Sequence, residues 1–447
     1  MGYFIYNVLL LIALPFILLI LLAKPRCRHG LIQRLGWLPV NLQRLDSPIL
    51  WIHAVSLGEV TAVIPLVQEL HHRFPHWSLV VSTVTETGRE AVEQRLANVA
   101  QHCYCPLDFP WAVNAYVRCL QPIALLIVET ELWPNLLKSV ARRQVPAILV
   151  NGRLSSKSFF RYQHIRGFMS HVLSNISLSL MQSERDAQRI IELGADYETV
   201  QSSGNMKFDQ VNSDSIFNAT SVSRSVLGLN TNEKLFVAGS THSEEEDQLL
   251  SCYKRVCEIV PSLILLLAPR HIERTTQVEA KVLSYGLSCI RKSHIPHNYI
   301  PEQNESGPRV ILLDTRGELS SLYSLGWIAF VGGTLTPVGG HNLLEPARWG
   351  VPVFFGPFTD HCAEVARLLR EAGGGVEVLN EQELFEQVTQ AYHHASWIHG
   401  VGLAAREVLL AHRGVVTKNV ESILSLLESH HVESPEIFTR RASSPSL

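Results

Sequence analysis

Apolar positions fall along this chain in two different ways. The first is one continuous run: residues 3–23, YFIYNVLLLIALPFILLILLA, hold no charged side chain. At about 1.5 Å per residue such a run reaches roughly 30 Å, the thickness of a bilayer core, so it predicts a transmembrane helix. Pro15 and Asn7 are tolerable in a spanning helix. A cleaved signal peptide would show a basic segment before the run and a small-residue exit after it. Neither is present, and residues 1–24 read as a retained membrane anchor.

The second pattern is alternation. Short strand-like apolar runs at 49–55, 79–84, 123–128, 147–150 and 177–181 are separated by helical spacing at 60–72, 87–97, 134–143 and 184–192. The style repeats with strands at 235–239, 263–268, 310–313, 328–332 and 351–355, and helices near 244–258, 342–349 and 361–371. Runs that are apolar at every position imply strands buried on both faces, hence parallel sheets covered by helices. Two such sets predict an α/β protein with two Rossmann-like doubly wound domains facing a cleft lined by strand carboxyl ends. The polar stretch Gln210–Ser225, QVNSDSIFNATSVSRS, marks the boundary. The expected domains are 25–212 and 213–430, followed by a flexible tail over 431–447.

Composition adds little to this picture except by exclusion. Among 447 residues, 38 Lys+Arg face 41 Asp+Glu, a net charge of −3, which excludes a strongly basic nucleic-acid binder. Locally the balance differs: Lys24, Arg26, Arg28, Arg34 and Arg44 occur between residues 24 and 45 with no acidic residue until Asp46. This basic collar places the body of the chain in the cytoplasm and can rest on anionic headgroups. The eight cysteines show no metal-ligand spacing and read as reduced thiols. No metal site is expected.

Candidate chemistry gathers after the strands. In WIHAVSLGE (51–59), Glu59 follows the first strand. It is either half of a capping box with Ser56 or a carboxylate kept ionised by the helix N-terminus and suited to a general base. IVETELWPN (127–135) places Glu129 and Glu131 after a buried strand, on the same side if the segment is extended. Arg153, Lys157, Arg161 and Arg166 alternate with aromatics at 151–168, a mixture fit for phosphate and an apolar lipid surface or for an ordinary basic helix. Lys207 sits in SGNMKFD (203–209).

The second half offers Ser240 at a helix start, either an anion site or a turn capped by Thr241 and Glu244. Arg270 and His271 follow another strand, and a guanidinium matches phosphate. Arg316, Gly317 and Glu318 form a turn. Residues 332–350 bring glycines together with His341, Asn342 and Glu345, the last able to accept two ribose hydroxyls. Neither a dinucleotide-binding glycine fingerprint nor a Walker loop is present.

Taken in order, HAVSLGE, ETELWPN, NGRLSSKS, GNMKFD, APRH and GGHNLLEPA, behind an apolar N-terminus, resemble the 3-deoxy-D-manno-octulosonic acid (Kdo) transferases of Gram-negative bacteria over roughly residues 1–425. The resemblance implies a GT-B glycosyltransferase that moves Kdo from CMP-Kdo to the lipid A precursor, lipid IVA, at the cytoplasmic face of the inner membrane, behind a single-pass anchor. It implies Glu59 as proton acceptor, with Glu129 and Lys207 supporting the transition state. It implies a CMP site of Arg270, His271, Arg316, Gly317, Glu318, Asn342, Leu343, Leu344 and Glu345. Arg153, Lys157 and Arg161 are the candidate acceptor contacts. Gly152 stands where the family pattern has Ala, and Arg316 where it has an apolar residue such as Met. With no DxD-like acidic site, inverting transfer without a metal or other cofactor is expected. Other readings are a membrane-anchored GT-B enzyme using a different nucleotide sugar, a sugar-nucleotide epimerase, or a non-catalytic membrane scaffold.

Overall fold

The computed structural model describes residues 2–23, 30–45, 47–209, 222–296 and 308–430. Lys24, Arg26 and Arg28 of the basic collar, residues 210–221 of the expected boundary, and the tail from 431 lie outside the described residues. The chain divides into two compact units, residues 1–213 with 414–447, and residues 214–413.

The first unit is built on a parallel sheet of seven strands: β1 (Ile49–His53), β2 (Ser78–Thr83), β3 (Ala100–Tyr104), β4 (Ala124–Val128), β5 (Ala147–Gly152), β6 (Leu178–Met181) and β7 (Val200–Ser202). Their order is β3-β2-β1-β4-β5-β6-β7, with Leu50 of β1 opposite Leu79 of β2 and Ala124 of β4. Because side chains alternate across a strand, β1 feeds two cores. Leu50 and Ile52 pack with the helix Leu57–Arg73, whereas Ile49 and Trp51 pack with the helices Pro110–Leu120 and Pro134–Ala141.

The second unit repeats the plan with β8 (Lys234–Thr241), β9 (Leu263–Pro269), β10 (Ser288–Arg291), β11 (Arg309–Leu312), β12 (Ile328–Val331), β13 (Val353–Phe355) and β14 (Gly375–Glu377), in the order β10-β11-β9-β8-β12-β13-β14. In β9, Leu263, Leu265 and Leu267 face one core and Ile264, Leu266 and Ala268 the other. β13 starts two residues later than expected because Pro352 has no N–H for the ladder. The expected helix at 342–349 is only one turn, Leu344–Ala347.

All four strands absent from the sequence reading, β3, β7, β10 and β14, are sheet edges. An edge strand is buried less completely and needs no continuous apolar run, so AQHCY, VQS, SCIR and GVE give no strand signal.

The expected second domain, 213–430, needs a correction at its end. The helix Val415–Ser429 belongs to the first unit, where Val416, Val420, Ile423 and Leu427 join the core beside the helix Leu57–Arg73. Asp209 fixes its start: one carboxylate oxygen accepts the Gly414 N–H at 2.9 Å and the other the Val416 N–H at 2.7 Å. Losing a buried cap of this kind costs about 1–2 kcal/mol. Asp209→Ala is therefore expected to lower the thermal unfolding midpoint by a few degrees, read by calorimetry, and an unchanged midpoint would show that the cap holds nothing.

The helix Gly2–Ala23 also belongs to the first unit. It is the one helix among the described residues long and apolar enough to cross a membrane, and it holds no buried residue.

Candidate active site

In an open parallel sheet, functional groups collect beyond the strand carboxyl ends, at the point where strand order reverses. In the first unit that point lies between β1 and β4. β1 leads through a short turn into the helix Leu57–Arg73, and Glu59 stands in its first turn, 8% exposed. The Glu59 carboxylate accepts the Val55 N–H at 2.7 Å and the Ser56 hydroxyl at 2.9 Å. The Ser56 side chain makes no cap bond to the helix amides. The capping box is thus only half present: Ser56 serves to hold Glu59 rather than the helix.

Burial raises the Glu59 carboxyl to about 7, against the lowering effect of the Val55 and Ser56 bonds, and the nearby charges of Glu131 and Glu129 push it the same way. The expectation that the helix N-terminus keeps Glu59 firmly ionised does not hold. Desolvation among like charges outweighs the helix end.

Glu129 and Glu131 come from the end of β4. Glu129 has a φ of 59°, a strained conformation for a non-glycine residue, and its N–H reaches the Val150 carbonyl at 3.0 Å. Leu132 N–H then bonds Thr130 O and Trp133 N–H bonds Glu131 O, so the segment is coiled tightly rather than extended as expected. Both charges nevertheless act on Glu59. Burial raises Glu131 as well, and Trp133 Nε1 donates to its carboxylate at 3.1 Å. The Glu129 carboxylate has no partner among the described residues. The Thr130 hydroxyl donates to the Arg153 carbonyl, joining this loop to the basic segment. Lys157 and Arg161 lie exposed on the helix Ser156–Gln163. Arg166 is bound to the Glu192 carbonyl at 2.7 Å.

Lys207 is placed by a chain of buried amides that the sequence reading missed. Asn151 Oδ1 accepts the Met206 N–H at 3.0 Å, and its carbonyl accepts from Gln182 at 3.0 Å. Asn205 donates to Gln182 Oε1 at 3.1 Å and accepts the Lys207 N–H at 3.0 Å. The Lys207 ammonium itself is unpaired among the described residues. A sequence signal existed in the polar residues closing β5, β6 and β7, Asn151, Gln182 and Asn205, but only the strand order shows that they are neighbours.

In the second unit the order reverses between β8 and β12. Glu245, fully buried, accepts the N–H groups of His242 at 3.0 Å, Gly333 at 2.6 Å and Leu335 at 3.3 Å. It therefore binds the glycine turn after β12 to the helix start after β8. The cap is His242 with Glu245, not Thr241 with Glu244 as expected. Gly332 cannot be replaced: a Cβ there would lie 2.4 Å from the Ser240 carbonyl oxygen.

Arg270 follows β9, its N–H bonded to the Thr241 carbonyl at 3.0 Å. The next turn is held by Arg274, which grips the fully buried Glu246 through two bonds of 3.0 and 2.8 Å. Ser240, Arg270, His271, Thr315, Arg316 and Gly317 line one cavity of about 370 Å³. The Arg316 guanidinium pairs with Glu273 at 2.7 Å on the exposed rim. The Glu318 carboxylate accepts from the Thr315 hydroxyl and from Lys292 at 2.9 Å.

His341 Nε2 meets His242 Nε2 at 2.9 Å with the rings stacked, and His271 packs edge-on against His242. Burial, aided by Arg270, lowers His341 to about 4, and burial beside His271 and Arg270 lowers His242 as well. Asn342 accepts the Leu344 N–H and donates to Glu345 at 3.3 Å. Leu343 and Leu344 are buried at 0% and 1% exposure, so their side chains are core and only their backbone can face a ligand. His242 was missed because, in sequence, it reads only as a residue of a helix start.

The family profile described as 3-deoxy-D-manno-octulosonic-acid transferase (kdotransferase) matches residues 29–210. A 3-deoxy-D-manno-octulosonic acid transferase of Haemophilus influenzae is 34% identical over 433 residues, covering 96% of this chain and 99% of that protein. One from Aquifex aeolicus is 32% identical over 344 residues, covering 76% of this chain and 85% of its own length. Among solved structures, UDP-GlcNAc 2-epimerase from Neisseria meningitidis shares the fold, with a TM-score of 0.59 at 13% identity over 85% of this chain and all of that one.

Proposed function

The chain belongs to the 3-deoxy-D-manno-octulosonic acid (Kdo) transferase family, and from that premise we propose that it moves Kdo from CMP-Kdo to the lipid A precursor, lipid IVA. The observation that carries the chemistry is Glu59, a carboxylate buried among acids at the order reversal of its sheet and raised to about 7. A general base works best with a pKa near the working pH.

The acceptor hydroxyl oxygen forms its bond to the anomeric carbon while the carbon–oxygen bond to phosphate breaks, its electron pair leaving with CMP. The hydroxyl proton passes to Glu59. One direct displacement inverts the anomeric centre. Glu129 and Lys207, both without side-chain partners among the described residues, remain available to charge that develops in the first unit. Arg270 in the second unit neutralises the leaving phosphate, the role a metal would otherwise fill, so activity is expected to survive a chelator. Arg270, His271, Arg316 and Gly317 line the nucleotide cavity, while Asn342 and Glu345 are the groups for ribose. Arg153, Lys157 and Arg161 meet the anionic lipid head. The apolar helix Gly2–Ala23 holds the enzyme at the cytoplasmic face of the inner membrane.

The donor is the cheapest point of attack. Membranes bearing the chain are incubated with lipid IVA and either labelled CMP-Kdo or labelled uridine-diphosphate sugars. Label is expected in the lipid only from CMP-Kdo, and transfer only from uridine-diphosphate sugars would contradict the reading.

A further inference from the structure

The apolar helix does not stand free of the protein at its beginning. Tyr6 donates its hydroxyl to Asp108 at 2.8 Å, and Asp108 is 3% exposed. Asn135 donates to Asn7 Oδ1 at 2.7 Å. Tyr3 lies edge-on to Phe168 at 5.4 Å, beneath the Lys138 ammonium at 4.1 Å, and its hydroxyl accepts from Asn175 at 3.3 Å. The first two turns thus carry the helix's few polar groups, and each of them meets a partner on the body.

The chain beyond the helix returns to the same spot. Leu107 N–H bonds the Arg34 carbonyl at 2.8 Å, one residue from the Asp108 that holds Tyr6. Residues 6 and 34 are therefore on one side of any membrane the helix enters. From Tyr6 to Ala23 the helix extends about 25 Å. Pointed straight into a bilayer from its docked end, it would carry Lys24, Arg26 and Arg28 into or near the far side of a core roughly 30 Å thick. Residues 24–30 would then have to bring those charges back through hydrocarbon to reach Gly30, at a high cost.

Lying flat removes the conflict. Every third or fourth residue from Tyr3 to Leu21 is partly buried, while the opposite face, from Phe4 and Ile5 to Leu22, is exposed and wholly apolar. The contacts with the body come from Tyr3, Tyr6 and Asn7, and the exposed apolar face is left for acyl chains.

Resting on the membrane-anchor reading above, we infer that the first turns of the helix Gly2–Ala23 are a built-in dock on the first unit, which keeps both helix ends on the cytoplasmic side and lays the helix along the bilayer surface. This replaces the single-pass arrangement expected from apolar length. The dock also touches the active site: Asp108 accepts the Asn135 and Leu136 N–H groups at 2.9 and 2.8 Å, capping the helix that follows the Glu129–Glu131 loop.

The test uses the full chain with an epitope tag ahead of Met1, expressed in a Gram-negative host. Fractionation first asks whether the chain is in the membrane; recovery in the supernatant would sink the anchor reading itself and this inference with it. With the chain in the membrane, protease is added outside intact spheroplasts or to inside-out vesicles. The expected result is a tag protected in spheroplasts and removed in inside-out vesicles. A tag removed from intact spheroplasts overturns the inference. The contact is read separately by a short thiol crosslinker on the pair Asn7→Cys with Asn135→Cys. An intramolecular product several-fold above either single variant is expected, and none above those controls overturns the dock.

Discussion

Glu59→Gln is expected to lower kcat by about 10²- to 10⁴-fold, the span typical of a lost general base, while CMP binding in the second unit stays intact. Glutamine has nearly the same size, can accept the Val55 N–H through its carbonyl oxygen, and can donate to Ser56. The local fold then survives, and the loss reports proton transfer. The pH profile gives a second reading. The base must be deprotonated, so wild-type kcat/KM is expected to rise with pH up to about 7 and then level off; the residual activity of the variant lacks that limb.

Stability runs the opposite way. The folded carboxyl, raised from 4.5 to about 7, holds its proton where the unfolded one has lost it. Wild-type stability is therefore lost as pH rises between those values, by roughly 3 kcal/mol in all. The variant escapes this loss, so its unfolding midpoint is expected to exceed the wild type's above pH 7 and to converge with it near pH 4. Near-normal turnover in the variant would mean that Glu59 only anchors the turn.

Arg270→Ala is expected to weaken CMP-donor binding about 10- to 100-fold, the range for a charge-assisted bond to phosphate, as measured by calorimetric titration with CMP. The residue's backbone is fixed by the Thr241 carbonyl and its turn is locked by the Arg274–Glu246 pair. The alanine variant thus removes the guanidinium without releasing the loop. Arg316→Ala is the contrast: its pairing with Glu273 is exposed at 77% and 68% and contributes little, so only a small change is expected. Unchanged affinity in Arg270→Ala would contradict the phosphate role.

How much of this was legible in the sequence depended on whether a residue's role is local. β1 and β9 are apolar at nearly every position, and their burial on both faces reads directly. Edge strands such as β7 carry no such mark, because half their surroundings are missing. The helix Val415–Ser429 shows an apolar face but nothing to say which unit it covers; that depends on Asp209, some two hundred residues earlier. Glu59, Glu129 and Arg270 were legible as strand-end chemistry, and the resemblance gave them roles. The left-handed Glu129, the raised Glu59 carboxyl, the amides behind Lys207 and the His242–His341 pair arise only when separate strand ends are brought side by side. The docked start of the apolar helix was hidden for the same reason. Its length and composition state what it dissolves in, not where its tyrosines go.

Kdo transfer with Glu59 as base is tested most directly by mass spectrometry of lipid IVA incubated with the purified chain and CMP-Kdo, with Glu59→Gln run alongside. The expected result is a lipid heavier by one or more Kdo residues, one CMP released for each, and almost no product from the variant. A lipid of unchanged mass, or equal product from the variant, would contradict it.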